Sequence, residues 1–330
     1  MAKDIILISD THYGVKQNSV TWLNYQLDFI EQQLIPFIKE SDRSWTIYHL
    51  GDMMDSRSSI SPYTASRVTD AYIKLTRLCN DMVVIGGNHD YYSPEESEEH
   101  NINSLEMVFG KVEINEPNFH LVTQKMIRQD DDLFIPWFEW NKIDEVADYV
   151  RQGVKRVFCH TDLMNLSKDY LDVLKDVQVY SGHIHTPCMN GNLITLGSTY
   201  PLTFADANQE RGFYTLTDEL VFHPNNVSIK FYRLQNDEIF SIEKIRPFDY
   251  IELYVDQLLL MQAEYIDQIK AISEKVKNCS IVPIVKKSDE NDKDVELYNI
   301  EEACKSYIPN ELLSKFKQVV NRLEEKRQNS

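Results

Sequence analysis

The first predicted strand lies within the stretch Asp4-Ile5-Ile6-Leu7-Ile8-Ser9-Asp10-Thr11-His12-Tyr13-Gly14. Four aliphatic residues in succession are typical of a strand that is buried on both faces, as in the centre of a parallel sheet. An Asp and a His follow this run directly, and both side chains can bind a metal ion. The stretch therefore predicts a buried strand with polar chemistry at its carboxyl end, and the rest of the chain repeats this arrangement.

Short apolar runs alternate with amphipathic segments over most of the chain. The strand-like runs are Asp4–Ser9, Trp45–Leu50, Met82–Ile85, Arg156–Cys159, Val177–Ser181 and Leu193–Leu196. The segments with apolar residues at helical spacing are Val20–Ile38, Tyr63–Cys79, Ile143–Val150 and Lys168–Leu174. This alternation predicts an α/β core around a mostly buried sheet. The pattern over Gly212–Leu234 indicates successive strands without helices, which predicts an antiparallel end of that sheet.

Polar residues of one chemical kind follow five of these strands. The five segments are Asp10-Thr11-His12, Gly51-Asp52-Met53-Met54-Asp55, Gly86-Gly87-Asn88-His89-Asp90, His160-Thr161-Asp162 and Gly182-His183-Ile184-His185. Loops at the carboxyl ends of strands meet at one edge of an α/β sheet, so we expect these side chains to converge. Any one segment could be an ordinary turn, but five in one chain favour a common site. Imidazole nitrogens together with carboxylate and amide oxygens favour Mn, Fe or Zn over Mg or Ca.

Composition limits the class of protein. The 330 residues include 34 Lys and Arg against 52 Asp and Glu, a formal net charge of −18, and 42% are hydrophobic. These values indicate one or two globular domains and, taken alone, argue against a free-standing nucleic-acid binder. Five scattered cysteines without a Cys-x-x-Cys pair favour a reducing compartment over a disulfide framework or a zinc ribbon. Because the chain has no bilayer-length apolar run and no signal-peptide pattern, we expect a soluble cytoplasmic protein.

The order of the polar segments resembles that of the calcineurin-like metallophosphoesterases: Asp-x-His-x-Gly, Gly-Asp-x-x-Asp, Gly-Asn-His-Asp, a strand-end His, and Gly-His-x-His. Residues 197–204 and Arg211-Gly212-Phe213, after the last of these, resemble the SbcD-type recombination and repair nucleases. Protein Ser/Thr phosphatases have Gly-Asn-His-Glu where this chain has Asp90, which disfavours that activity. The resemblance implies an α/β fold: a two-sheet sandwich flanked by helices, with a small α/β capping domain and a C-terminal helical pair.

The resemblance also implies a site with two divalent metal ions, Mn in the active form or else Mg or Fe. Its ligands would be Asp10, His12 and His185 for one ion, Asn88, His160 and His183 for the other, and Asp52 for both. The catalytic residue would be His89, which acts as a general acid beside the leaving oxygen. Asp55 and Asp90 would support the site by orienting an imidazole or a loop.

Other conspicuous residues are expected to be structural. His49 lies within a predicted strand and is expected to be a core histidine. The aromatic residues Trp137, Phe138 and Trp140 could stack on a base, but a position next to an apolar strand favours a core role. The acidic run at residues 130–132 is expected at the tip of a hairpin.

Metal-type residues stop after about Asn236, and this predicts a domain boundary. We expect a nuclease domain over 1–236, a capping domain over 237–287, a linker over 288–295 and a helical module over 296–330. The capping domain would contain strand Tyr250–Val255, helix Leu258–Val276 and strand Ser280–Val285. The helical module could dock on the capping domain, or it could bind the coiled coil of an SbcC-type, SMC-like ABC ATPase, as the resemblance implies.

The expected function is hydrolysis of DNA phosphodiester bonds in recombination, repair or replication, in a phage or a bacterium. By resemblance, the chain is the catalytic subunit of an SbcCD-type complex, an exonuclease on duplex DNA and an endonuclease on single strands and hairpins. The acidic chain has no P-loop, so its ATPase partner would bind ATP and supply most of the basic DNA surface. A homodimer is expected, and contact with a membrane is not. Two alternatives stay open: a small-molecule metallophosphodiesterase or phosphatase, and a scaffold with an inactive site.

Overall fold

A computed structural model describes residues 3–93, 102–241 and 245–284. Its strands are β1 (Asp4–Ile8), β2 (Trp45–His49), β3 (Met82–Ile85), β4 (Phe119–Val122), β5 (Ile127–Gln129), β6 (Asp132–Ile135), β7 (Arg156–His160), β8 (Gln178–Gly182), β9 (Cys188–Asn190), β10 (Leu193–Thr195), β11 (Gly212–Leu216), β12 (Leu220–Pro224), β13 (Phe231–Gln235), β14 (Tyr250–Asp256) and β15 (Asn278–Ile284). The six strands predicted before Gly212 are all present, with ends shifted by one residue at most.

Two six-stranded sheets form the α/β architecture that was predicted. The first has the order β12-β11-β1-β2-β3-β4, and β1 to β4 are parallel to one another. The second has the order β5-β6-β7-β8-β10-β9, with β6, β7, β8 and β10 parallel and an antiparallel strand at each edge. Parallel strands bring the carboxyl ends of neighbours to one edge of each sheet, and this positions the site described below.

The aliphatic run of β1 is buried on both faces because two different layers cover it. Ile5 and Leu7 point towards the second sheet and belong to an apolar cluster with Phe134 and Phe158. Ile6 and Ile8, which alternate with them, belong to the cluster formed with the helices. The continuous apolar pattern therefore reflects a sheet between a second sheet and a helical layer, a sandwich flanked by helices.

The helices lie where the apolar periodicity predicted them, except for the helix at Ser104–Asn115, which was not predicted. Their bounds are Val20–Asp28, Ile35–Glu40, Pro62–Thr76, Ser104–Asn115, Ile143–Arg151, Lys168–Leu174 and Ala263–Lys275, and a π-helix spans Phe29–Leu34. The π-helix joins the first two helices into one rod over the predicted Val20–Ile38 segment. It ends just before Pro36, which has no backbone N–H to donate to an α-helical partner.

A third sheet, with the order β13-β14-β15, follows the sandwich. Its core includes Ile251, Leu253 and Val255, which alternate along β14 and face Tyr265 and Ile269 of the adjacent helix. The expected strand, helix and strand are present, although Leu259–Met261 is a separate 3₁₀ turn before the helix. This sheet lies in the same compact unit as the sandwich, over Met1–Pro283.

One expectation about the end of the first sheet was wrong in part. The strands β11 and β12 complete that sheet in antiparallel pairing, as the pattern over Gly212–Leu234 predicted. The strand β13 instead pairs in parallel with β14 in the third sheet. Alternating apolar residues reveal a strand but not its partner, because both sheets offer an edge.

Two predicted regions lie outside the described residues. The linker at 288–295 and the helical module at 296–330 stay predictions. Within the described ranges, no helix is both long and apolar enough to cross a bilayer.

Candidate metal centre

The five polar segments converge at the carboxyl ends of β1, β2, β3, β7 and β8. All seven expected metal ligands lie in this one region, and they fall into two groups. We define the Asp10 group as Asp10, His12 and His185, and the Asn88 group as Asn88, His160 and His183. Asp52 lies between the two groups. The convergence arises because the parallel strands of both sheets end at the same side of the sandwich.

The Asp10 group places two imidazoles and a carboxylate around one point. Nε2 of His12 lies 3.2 Å from Nε2 of His185. Oδ1 of Asp10 is 4.0 Å from the first of these nitrogens and 3.9 Å from the second. One atom from each residue thus lies within 4.8 Å of the others, a spacing that suits a shared metal ion.

The Asn88 group has an amide oxygen at its centre. Oδ1 of Asn88 is 3.1 Å from Nε2 of His160 and 2.9 Å from Nδ1 of His183. The two imidazoles also form a convergent set with the carboxylate of Asp52. Two imidazoles and an amide oxygen are neutral ligands, so Asp52 supplies the negative charge here.

Asp52 faces both groups with different oxygen atoms. Its Oδ2 is 3.7 Å from Nε2 of His12, and its Oδ1 is 3.3 Å from Nε2 of His160. Its side chain is 2% exposed, so this orientation is fixed by the protein and not by solvent. The geometry is that of a carboxylate able to bridge two ions roughly 3.5–4 Å apart.

Neighbouring polar groups orient these ligands. The Nδ1 atom of His160 lies 2.7 Å from the carbonyl oxygen of Leu50, a hydrogen bond that directs Nε2 towards Asn88. Ser9 donates its hydroxyl hydrogen to Oδ2 of Asp10 at 2.5 Å. The backbone N–H of His183 donates to Oδ1 of the same carboxylate at 3.1 Å. The ligand positions are therefore fixed by a surrounding layer of hydrogen bonds.

The backbone at the site is strained. The φ angles of Asp10, His12, Asp52 and His183 are 52°, 43°, 50° and 81°, in the left-handed region that most residues avoid. Such conformations cost about 1–3 kcal/mol each and persist only where the surrounding structure imposes them. Gly51 precedes Asp52 with φ +89°, and a Cβ there would lie 2.3 Å from Nδ1 of His160. Glycine is thus required at position 51, both by the left-handed turn and by the close packing of the His160 imidazole.

The protonation of the imidazoles follows their distance from the carboxylates. Burial disfavours charge on His160, but the carboxylate of Asp52 outweighs burial and raises its pKa to about 9. Burial likewise opposes charge on His12, whose pKa is nevertheless raised by the hydrogen bond to Asp55 and by the charge of Asp52. Burial favours a neutral Asp52, yet the charge of His160 holds its pKa well below the usual range. The protons on His160 and His12 thus supply the positive charge beside Asp52 that a bound metal ion would otherwise supply.

The other two imidazoles are disposed to be neutral. Burial lowers the pKa of His183, and the charge of His160 lowers it further. Burial also lowers the pKa of His185, and the nearby carboxylate of Asp10 only partly opposes this. A neutral imidazole is the form that binds a metal ion, so these two side chains are ready to act as ligands.

His89 lies beside the Asp10 group but is held by different contacts. Its Nδ1 lies 2.8 Å from the carbonyl oxygen of Asp55, and its ring centroid is 4.9 Å from that of His12. Its backbone N–H donates to Oδ1 of Asp52 at 2.8 Å. Hydrogen bonding at Nδ1 leaves Nε2 as the atom able to transfer a proton.

Asp55 and Asp90 contact the site in two different ways. Oδ1 of Asp55 is 3.4 Å from Nδ1 of His12 and can orient that imidazole. Asp90 is fully buried and accepts backbone hydrogen bonds from Met54 and Gly87, both at 2.9 Å. Burial, together with the charge of Asp52, raises the pKa of Asp90 to about 7. Asp90 thus braces the loops after β2 and β3 against each other.

The structural expectations for other residues held in part. His49 is a buried core histidine, 2.9 Å from the hydroxyl of Thr11, as predicted. The predicted hairpin tip is present: Asp130 and Asp131 form the turn between the antiparallel strands β5 and β6. Asp132 is the first residue of β6, buried and paired with Arg156 at 2.6 Å.

The aromatic set at 137–140 divides between core and site. Phe138 packs edge-on against Tyr91, and Trp140 stacks on Tyr170, as core residues do. Trp137 is half-buried like the other two, but its ring centroid lies 4.9 Å from that of His183. The core expectation was therefore wrong for Trp137, which borders the Asn88 group.

Arg57 is a site-proximal cation that the sequence reading did not assign. Its Nε donates to the carbonyl oxygen of Asn88 at 3.1 Å, and the residue is half-buried. The signal available in the sequence was its position two residues after Asp55 in a loop that was already identified as functional.

Comparison with known proteins agrees with this reading of the site. The sequence model of the family described as calcineurin-like phosphoesterase matches residues 3–229. Exonuclease subunit 1 of Enterobacteria phage T4 is 26% identical over 243 residues, 68% of this chain and 68% of that protein. Members of this family bind two divalent metal ions. The donor atoms of the two groups are of the types that such ions accept.

Two solved structures also match, at low overall similarity. The nuclease MPE of Pseudomonas putida is 14% identical, with a TM-score of 0.33, over 66% of this chain and 85% of that one. The phosphopantetheinyl hydrolase PptH of Mycobacterium tuberculosis is 10% identical, with a TM-score of 0.30, over 60% of this chain and 90% of that one.

Proposed function

The chain belongs to the calcineurin-like phosphoesterase family, and on that premise we propose that it is a DNA nuclease that uses two divalent metal ions. The observation that carries this proposal is the complete set of donor groups around Asp52, in a chain similar to an exonuclease subunit. A site that had lost its activity would be free to lose ligands, and this one retains suitable side chains at all seven positions.

The two groups divide the metal binding between them. The Asp10 group would hold one ion, the Asn88 group the other, and Asp52 would contact both. Bound there, the ions would supply Lewis-acid stabilisation of the charge on the phosphoryl oxygens. Mn is the expected metal by resemblance to the SbcD-type nucleases, with Mg or Fe as the alternatives, and the mixture of imidazole nitrogens and oxygen donors is compatible with Mn.

His89 would transfer the proton that the leaving oxygen needs. Its Nδ1 is held by the carbonyl oxygen of Asp55, so Nε2 can carry a proton towards the substrate. Its backbone N–H is fixed on Asp52, which keeps the imidazole at a constant distance from the ligands. A positioned general acid contributes typically about 10²–10⁴ in rate.

We further propose that the protein acts with partners. The C-terminal module at 296–330 would bind an SbcC-type ABC ATPase, and two copies of the chain would form a homodimer. This arrangement reconciles a nuclease with a formal net charge of −18, because the partner would supply most of the basic surface for DNA. The processes served would be recombination, repair or replication of DNA in a phage or a bacterium.

The test is cleavage of labelled single-stranded and duplex oligonucleotides with Mn, with Mg or with a chelator. We expect Mn-dependent cleavage by the native protein and a loss of about 10²–10⁴ in rate for His89→Ala. His120→Ala is the matched control, because His120 pairs with Asp81 away from the site. Hydrolysis of bis-p-nitrophenyl phosphate with DNA left intact, even after addition of the ATPase subunit, would support the small-molecule phosphodiesterase instead.

A further inference from the structure

A groove in the compact unit over Met1–Pro283 combines aromatic rings with positive charge. It has a volume of about 530 Å³ and lies between the start of the Val20–Asp28 helix and the third sheet. The residues that line it include Lys16, Trp22, Tyr25, Phe248, Tyr250 and Lys277. We call it the aromatic groove. Its lining includes two lysines and no carboxylate, although acidic residues outnumber basic ones 52 to 34 in the whole chain.

The rings of the aromatic groove form two adjoining pairs. Tyr25 and Phe248 have centroids 5.4 Å apart, with planes inclined at 44°. Trp22 and Tyr250 have centroids 5.8 Å apart, inclined at 41°. Trp22 is buried and anchors the set, whereas Phe248 is 42% exposed. Phe248 thus presents an exposed ring at the edge of the concave surface, next to the half-buried ring of Tyr25.

The two lysines of the groove lie over its rings. Nζ of Lys16 is 5.4 Å from the ring centroid of Trp22, and Nζ of Lys277 is 5.3 Å from that of Phe248. Within the described parts of the chain, neither lysine makes an ion pair with a carboxylate. The nearby carboxylate of Asp249 is buried and already paired with Arg246 at 3.0 Å. The positive charge of the groove is therefore available to an anionic ligand.

The backbone that presents Lys16 is strained. Lys16, Gln17 and Asn18 have φ angles of 54°, 58° and 58°, three successive residues in the left-handed region. The turn is held by Asn18, which accepts from the N–H of Ser61 at 2.9 Å and donates to the carbonyl of Ser59 at 3.1 Å. The hydrogen bonds of Asn18 thus hold the turn that carries Lys16 in one conformation.

The groove is close to the metal centre along the chain. Lys16 is four residues beyond His12, so their Cα atoms are at most about 14 Å apart. A strand of nucleic acid with one phosphate at the metal centre can therefore reach the groove within a few nucleotides.

We propose that the aromatic groove binds single-stranded DNA next to the cleaved bond, a proposal that rests on the nuclease function. Bases would stack on Phe248 and Tyr25, while Lys16 and Lys277 would contact the flanking phosphates. Stacking platforms combined with cations are the usual means of binding single strands without sequence preference, because every base has a π-face. The groove would thus give the acidic chain a local affinity for unpaired DNA, although the net negative charge of the chain disfavours DNA binding.

The test measures binding separately from cleavage. A fluorescently labelled oligothymidylate of about 12 nucleotides is titrated with the full chain in chelator, and its anisotropy is recorded. We expect Phe248→Ala to weaken binding about tenfold, and Tyr25→Ala with Phe248→Ala to weaken it further. We expect Lys277→Glu to weaken binding and to lower the slope of log affinity against log salt by about one or more.

Matched controls address general damage to the protein. Phe240→Ala removes another exposed ring, which packs on Tyr265, and Lys168→Glu reverses a charge on the Lys168–Leu174 helix. Both control variants are expected to bind like the native chain. Lys277→Glu removes no ring from a core, so it tests the charge of the groove without a loss of buried apolar area.

An oligonucleotide with abasic sugars isolates stacking. The native protein is expected to bind it more than tenfold more weakly, and the protein with both Tyr25→Ala and Phe248→Ala to bind both oligonucleotides alike. Equal binding of both by the native protein, or unchanged binding by the groove variants, overturns the proposal. Binding without cleavage under any metal would instead contradict the nuclease function and leave the groove assignment supported.

Discussion

The Asp10 group and the Asn88 group share one carboxylate, but they differ in charge. Each group has one buried and one half-buried imidazole, so burial does not distinguish them. The Asp10 group has a carboxylate of its own, whereas the Asn88 group has only neutral ligands, with Trp137 against its second imidazole. We therefore expect an ion in the Asn88 group to depend on Asp52 more than an ion in the Asp10 group does. The predictions below test that asymmetry.

The largest effect is expected from Asp52→Asn, which removes the shared charge. Both ions should be weakened, and the hydrolysis of bis-p-nitrophenyl phosphate should fall by about a thousandfold or more, since each ion supplies several kcal/mol of charge stabilisation. Calorimetric titration with Mn should show the second ion lost altogether. Asp130→Asn, which alters an exposed carboxylate paired with Lys3, serves as the control and should leave both quantities unchanged.

A smaller effect, different for the two ions, is expected from two separate substitutions that change the charge of one group each. Asp10→Asn should abolish one ion and reduce activity by about a hundredfold, because His12 and His185 then have only Asp52 as a charged partner. Asn88→Asp should tighten the weaker ion by about tenfold, because it adds a charge to a neutral set. Mn titration of both variants checks this. Equal metal affinities in the two native sites would remove the asymmetry on which the prediction depends.

The protonation of the metal-free site predicts a dependence of stability on pH. His160 has its pKa raised to about 9 in the folded chain, against about 6.5 unfolded, so its ion pair with Asp52 stabilises the fold fully below pH 6.5. That contribution is lost as the pH rises through 9. In chelator, the melting temperature should therefore fall between pH 6.5 and 9. With Mn bound the fall should be smaller, because the ion replaces the proton. A flat profile in chelator would contradict the ion pair.

The smallest effect is expected at the edge of the Asn88 group. Trp137→Ala should reduce activity about three- to tenfold, because it removes the ring packed on His183 without removing a ligand. Trp137→Phe should retain most of the activity, since a ring still restricts the imidazole. The paired kinetics of these two variants test whether the contact orients His183. The two variants should have the same Mn stoichiometry as the native chain.

Much of the site could be predicted because its ligands follow strands with a strong local signal. The run Ile5-Ile6-Leu7-Ile8 identifies β1, and the position of Asp10 and His12 behind it follows from the strand direction alone. The hydrogen bond that orients His160 could not be predicted, because it depends on the carbonyl of Leu50, 110 residues away in the chain. The local sequence pattern thus predicts which residues lie near one another, whereas tertiary contacts determine how their side chains are oriented.

The errors share a similar cause. Trp137 was expected in the core because its neighbours Pro136 and Ile135 are apolar, yet the turn after β6 directs its ring towards His183. The strand β13 was assigned to the first sheet because pattern reveals a strand but not its pairing. The helix at Ser104–Asn115 was not predicted, and its apolar residues show weaker helical periodicity than those of the other helices.

The most direct test of the central claim is electron paramagnetic resonance of the Mn-loaded native protein, together with the number of ions bound per chain. Because Asp52 faces both groups, we predict two ions per chain, roughly 3.5–4 Å apart, with the multi-line spectrum of a spin-coupled pair. A single ion per chain, or two ions with the uncoupled six-line spectrum of isolated Mn, would contradict a shared two-metal centre.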